Sequence, residues 1–328
     1  MTGLRRNESE HDHEASRADD EKGSKEGKMK DHGWYTSTRL ASTRAALLAL
    51  SFAVAGGVAL RAADGKIPVY QAGTISSAGY YYLTQDITTG SGITISAYNV
   101  TLDLNGHLLT STGTGIDASS SNTNIRVTNG SVSASGNGVV LVLRSGGFGQ
   151  VDQVRILEAH PFGISVQGPS GGTYAKAVVE RNTIVNVTNG DGISLTYLGN
   201  ALVRDNTISG VTGSNGYGVG LLFFYCHNGL FSGNVISTCG TAGLAVNISN
   251  GNQVTRNTLS SNGAEGISLS SSNNNSINWN TACANSGYGL FINGSGNIYA
   301  YNHTSGNTSG ERNIGSGNTD GGGNIPFP

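Results

Sequence analysis

Charge, proline and cysteine are all scarce in this 328-residue sequence, and each scarcity excludes something. Five prolines rule out a collagen-like or proline-rich chain. Cys226, Cys239 and Cys283 are an odd number with no Cys-x-x-Cys pair, so they make neither a disulfide framework nor a zinc site. They read as small apolar residues, with room for one disulfide at most. No cofactor or metal motif is evident. Charged residues are 12% of the chain, about half of the ~25% usual in soluble domains. Residues 1–44 hold 9 Lys/Arg and 9 Asp/Glu, which leaves 10 and 12 for the remaining 284 positions. The near-neutral balance, a net charge of -2, lacks the basic patch of a nucleic-acid binder. What fills the space is 50 glycines with Ser, Thr and Asn. That is not the composition of an ordinary helical or α/β enzyme.

The front of the chain divides in two. Residues 1–44 mix charges of both signs with almost no apolar residues, and are expected as a disordered leader. Ala45 to Leu60 then runs uncharged between Arg44 and Arg61, too short for the ~20 residues of a membrane span. Residues 45–62 fit a secretory signal with its cleavage region, the alternative being an uncleaved anchor. Met29 gives an n-region of ordinary length and is a candidate start. The expectation is therefore an exported protein (periplasmic, cell-surface or extracellular), touching membrane only through that segment.

An internal repeat sets the fold class. A motif of Gly, aliphatic, any, aliphatic or Ala begins at Gly115, Gly138, Gly163, Gly192, Gly218, Gly243, Gly266 and Gly289. Between these glycines lies a second motif built on Asn182, Asn206, Asn234, Asn257, Asn280 and Asn302, as in Val179-Glu-Arg-Asn182-Thr-Ile. Asn105 and Asn129 fit as looser copies, and Val154 takes the position between Asn129 and Asn182. Each motif alternates like a short strand, and no copy has a hydrophobic face large enough to fold alone. Stacking coil on coil at ~4.8 Å pairs each strand with its equivalent above and below. The six asparagines are then expected to hydrogen-bond up a column as a structural ladder. Glycine is expected where a side chain would clash or φ must be positive.

These repeats, together with Gly79-Tyr-Tyr-Tyr-Leu-Thr-Gln-Asp-Ile and Ile93-Thr-Ile-Ser-Ala-Tyr-Asn-Val-Thr-Leu-Asp-Leu-Asn-Gly-His107, resemble the right-handed parallel β-helix superfamily, the pectate-lyase-like solenoids. The resemblance spans about residues 67–314. It implies an all-β solenoid of about nine coils of 22–29 residues, with right-handed winding, followed by a flexible tail at 315–328. Family members commonly act on acidic polysaccharide laid along an outer sheet. The signatures of polygalacturonases, alginate epimerases and pectate lyases are absent, as are paired aspartates for calcium.

Aligning the coils puts Asp152, Glu180, Arg204, Ser232, Thr255 and Asn278 in one outer column, beside Gln153, Arg181, Asp205, Gly233, Arg256 and Trp279. Glu180–Arg204 and Arg181–Asp205 then read as cross-coil pairs that set register. The longest coil carries an insertion, Gln167 to Lys176. Near it Arg155, Glu158, His160 and Lys176 are the candidate catalytic residues, a cation for a carboxylate and a histidine for proton abstraction. The bland alternative is a solvated insertion. Aromatics of the C-terminal half, Tyr217, Phe224, Tyr225, Trp279, Tyr288, Phe291, Tyr299 and Tyr301, are expected mainly in core stacks, or else as an outer sugar-stacking strip. Three functions stay open: a polysaccharide-binding monomer, a polysaccharide lyase, epimerase or hydrolase, and a structural surface protein or adhesin.

Overall fold

The computed structural model of the chain describes residues 65–171, 173–213 and 216–327. The leader and signal expected over 1–44 and 45–62 lie outside the described residues. Within them every regular element is a strand, and every strand pairing is parallel. One sheet has eleven strands, from Thr74–Ile75 to Gly310–Ile314, and forms face 1. A 21-stranded sheet folds into two further faces. Face 2 runs from Ile67–Val69 to Thr319–Asp320, and face 3 from Ile87–Thr89 to Ile325–Phe327. The chain visits faces 1, 2 and 3 in turn, so the solenoid has eleven coils, two more than the repeat count suggested.

Alternation explains the core. In one coil Val179, Ile184, Ile193 and Leu195 point inward from three faces, all 0% exposed. Their partners one coil on, Val203, Ile208, Leu221 and Phe223, do the same. Burying each such side chain stabilises the fold by ~1.5–3 kcal/mol. The largest fully buried side chains, Phe223 on face 1 and Phe231 on face 2, stack their rings at 3.6 Å.

The repeat glycines stand where face 1 begins, and the reason is close approach, not φ. A Cβ on Gly138 would lie 2.4 Å from the carbonyl oxygen of Gly163, and one on Gly163 2.5 Å from that of Gly192. The same column corrects the expected motif: Ile193 pairs with Leu221, so the partner of Gly192 is Gly220, and Gly218 belongs to the insertion before it.

The turn between faces 2 and 3 (corner 2) holds the asparagines. Asn182 donates from its backbone N–H and from Nδ2 to Oδ1 of Asn206, both at 3.0 Å. Asn206, Asn234, Asn257, Asn280 and Asn302 repeat this pattern up to Asn324. Asn105 and Asn129 are not part of it. Asn129 sits one position earlier and Asn105 lies in a longer turn, Leu104 to His107, both in the left-handed conformation (φ 59° and 53°). Two further ladders escaped the repeat reading: Asn252–Asn275–Asn297–Asn318 between faces 1 and 2 (corner 1), and Asn262–Asn285–Asn307 between faces 3 and 1 (corner 3).

Residues 315–328, expected as a loose tail, instead complete the last coil through Phe327. Asn318 and Asn324 occupy ladder positions there, which a flexible segment would leave empty. Carboxylates end two ladders. Glu311 Oε2 accepts from Asn307 Nδ2 at 2.7 Å, and Asp320 Oδ1 accepts from Asn324 Nδ2 at 2.6 Å. Arg312 pairs with Asp320 at 3.3 Å. All three cysteines are free thiols, and burial pushes Cys226 and Cys239 up to about 12.

Candidate functional site

The buried carboxylates of face 2, Asp152 and Glu180, are both paired with arginine. Asp152 is fully buried and accepts a bidentate pair from Arg126, Nε and Nη2 both at 2.9 Å, plus the Thr128 hydroxyl at 3.1 Å. Glu180 accepts from Arg204 Nε at 2.7 Å, in the expected column. The expected Arg181–Asp205 pair does not form. Arg181 turns to Glu180 at 2.7 Å and lies 3.8 Å from Asp152. A buried carboxylate left half-paired is costlier than the exposed Asp205, so the guanidinium follows the burial. These carboxylates hold the pKa values of Arg126 and Arg204 above the ordinary arginine value.

The four candidate catalytic residues do not converge. Arg155 is exposed on face 3, between Ser131 and Thr183. Glu158 ends the same strand beyond a register shift, beside Ser133. His160 lies in corner 3, its Nδ1 2.8 Å from the Thr188 carbonyl. Lys176 starts a strand of face 2, beside Phe148. Three are thus on or after face 3, and Lys176 is at corner 1.

Lys176 does line a groove of about 680 Å³ along corner 1. The long insertion supplies one wall through Thr173 and Tyr174, and successive coils supply the floor through Gly199 and Asn200, His227 and Asn228, Asn250 and Gly251, and Asn274. Tyr174 packs over Gly199, where a Cβ would lie 2.9 Å from the Tyr174 Cβ and 3.5 Å from its ring, and the ring meets His227 edge-on at 5.3 Å. Asn200, Asn228 and Asn274 are exposed and left-handed, with φ of 53°, 56° and 56°. None of their side-chain amides makes a hydrogen bond within the described residues, in contrast to the buried ladder asparagines such as Asn275, one residue on from Asn274.

His227 is fixed as a donor. Its Nδ1 accepts the Asn250 backbone N–H at 3.0 Å, so the ring proton sits on Nε2. Desolvation holds its pKa below the ordinary histidine value, which keeps the ring neutral. Asn250 Oδ1 then accepts the Asn273 N–H, and Asn273 Oδ1 the Ser295 N–H, both at 2.8 Å. The groove therefore offers amides, an aromatic face, a neutral imidazole N–H and one ammonium. Among the described residues no carboxylate lines it, and its histidine lacks a free lone pair for proton abstraction.

Two residues ahead of Gly199, His227 and Asn250, at the face 1 side of the same corner, stand Tyr197, Tyr225 and Ile248. All three are left-handed, with φ of 55°, 53° and 50°. Large or β-branched side chains are rare in that conformation, and the cost is of order 1 kcal/mol or more each. Tyr197 and Tyr225 stack at 5.1 Å, and Phe224 meets both edge-on. At corner 2, Trp279 and Tyr301 stack at 4.4 Å while 55% and 50% exposed. Of the eight aromatics expected mainly in core stacks, only Tyr299 is buried. The others take outward strand or corner positions, which a repeat reading places by register and not by hydrophobicity.

Comparisons with known proteins fit this architecture. Residues 137–308 match the family model described as "Right handed beta helix region". No curated protein sequence matches. Among solved structures, a periplasmic alginate epimerase, AlgG, superposes with a TM-score of 0.58 at 14% identity, over 80% of this chain and 76% of its own. The A-module of the Azotobacter vinelandii mannuronan C-5 epimerase AlgE6 gives 0.49 at 16% identity, over 80% and 89%. The Dettilon tailspike protein gives 0.46 at 13%, over 80% and 60%.

Proposed function

This chain belongs to the right-handed β-helix family, and we propose that it is an exported, monomeric polysaccharide-binding protein that acts without catalysis. The observation that carries the reading is the corner 1 groove, with Tyr174 exposed on one wall and the half-buried Tyr197 and Tyr225 along its edge in a backbone conformation that disfavours them. Pyranose rings present C–H faces that stack on aromatic rings, and hydroxyls that pair with amides. Tyr174 with the Tyr197–Tyr225 pair offers the first, and Asn200, Asn228 and Asn274 offer the second. The fold-level likeness to a periplasmic alginate epimerase supports both an exported location and a polysaccharide ligand. The tautomer of His227 and the separation of Arg155, Glu158 and His160 from Lys176 favour binding over lyase, epimerase or hydrolase chemistry.

A glycan array probed with the purified protein and with Tyr174→Ala tests the reading. Retention of at least one glycan class, weakened about tenfold or more by the substitution, is expected. New reducing ends or unsaturated products in the same samples would contradict the non-catalytic part, and equal retention by the variant would contradict the site.

A further inference from the structure

Resting on that reading, we infer that the glycan held in the corner 1 groove is uncharged: a neutral polysaccharide, not a polyuronate. The argument starts from where positive charge is found. The described residues include nine Lys and Arg. Arg126, Arg181, Arg204 and Arg312 are engaged by carboxylates. Lys66 lies 5.0 Å over the Tyr80 ring, and Arg144 lies 4.5 Å over the Tyr98 ring while bonding its hydroxyl at 2.6 Å. Only Arg155, Lys176 and Arg256 have no ion-pair or ring partner among the described residues, and no two share a face: Arg155 is on face 3, Lys176 at corner 1 and Arg256 at corner 2.

A polyuronate carries one carboxylate on every sugar. A chain lying along the groove from Lys176 to Asn274 would cross about five coils, each ~4.8 Å from the next, with a single ammonium at one end. Each further carboxylate would give up hydration for neutral amides and aromatic rings, and a desolvated, unpaired charge is strongly disfavoured. A neutral sugar meets the opposite situation. At each coil step from Asn200 to Asn228, and again at Asn274, an open amide with both donor and acceptor faces outward. The Tyr197, Tyr225 and Ile248 column beside it supplies apolar contact at the same period. The fold-level neighbour is an alginate epimerase and alginate is an anionic chain, but at 14% identity that likeness is one of the solenoid alone.

The test compares the full-length protein on neutral probes (linear β-1,4-glucan, mannan and xylan oligosaccharides) with polymannuronate and polygalacturonate, each by calorimetry at about 0.05 and 0.5 M NaCl. The expected result is binding to at least one neutral probe, with an affinity that changes less than about twofold between the salts. Binding confined to the polyuronates and weakened about tenfold or more by salt would overturn the inference, while leaving polysaccharide binding intact. No binding to any probe would remove the underlying reading, and this inference with it.

Discussion

At the scale of single residues, two positions show how tightly the repeat constrains chemistry. Glycine at the start of face 1 is a matter of space. Gly163→Ala would put a methyl 2.5 Å from the Gly192 oxygen and 2.8 Å from Ile184 Cγ2. A loss of about 1–3 kcal/mol is expected in chemical denaturation, as for other overpacked sites. Asp191 is the second. It is 1% exposed and accepts the Val219 N–H at 3.1 Å, and burial first of all raises its pKa from 3.8 to about 6. The folded state therefore binds this proton more tightly than the unfolded chain does. The stabilisation is full below pH 3.8 and is lost as pH rises to about 6. Asn137 fills the equivalent place two coils earlier, where its Oδ1 accepts the Phe162 N–H. Asp191→Asn should therefore raise stability at pH 7, by roughly 3 kcal/mol at most, and flatten its dependence between pH 4 and 7. Unchanged slopes in a pH series of urea melts would contradict this.

At the scale of elements, the asparagine ladders join each coil to the next. Asn234 accepts the backbone N–H and Nδ2 of Asn206, and donates to the Val203 carbonyl and Asn257 Oδ1. Asn234→Ala leaves several of these groups buried without partners, at ~1–3 kcal/mol each, and should cost more than 3 kcal/mol in all. Asn324→Ala, at the half-buried end of the same ladder, should cost about 1 kcal/mol, because it has a ladder asparagine on one side only and water can reach the groups it leaves. Equal losses in thermal melts would mean that coil-to-coil coupling is not what the ladder provides. The corner 2 ladder was legible because Asn182 to Asn302 sit in a repeated six-residue frame. The ladders of corners 1 and 3 were not, because they begin only at Asn252 and Asn262 and are preceded by Gly229 and Cys239 at the equivalent positions. The final coil was missed for a similar reason. Its strands are two to five residues long, and Asn318 and Asn324 stand among glycines that read as a loose end.

At the scale of the whole molecule, the site was only half visible in the sequence. The insertion ending at Lys176 announced itself by length, but its partner His227 lies two coils away and is brought to Tyr174 by register alone. Arg155, Glu158 and His160 drew notice because charge is rare, and rarity said nothing about which corner each would occupy. His227 also makes the groove sensitive to acid. Protonation puts a second donor on Nδ1, facing the Asn250 N–H, with Tyr174 and Lys176 as the other titratable groups in the groove. Glycan affinity should hold above the ordinary histidine pKa and fall as pH drops through the lower value in the fold, and His227→Gln should remove that dependence. The most direct measurement is a crystal structure of the protein with a bound neutral oligosaccharide. Sugar density along corner 1, stacked on Tyr174 and bonded to the amides of Asn200 and Asn228, is the predicted result. Ordered sugar on face 3 beside Arg155, with corner 1 holding only solvent, would contradict it.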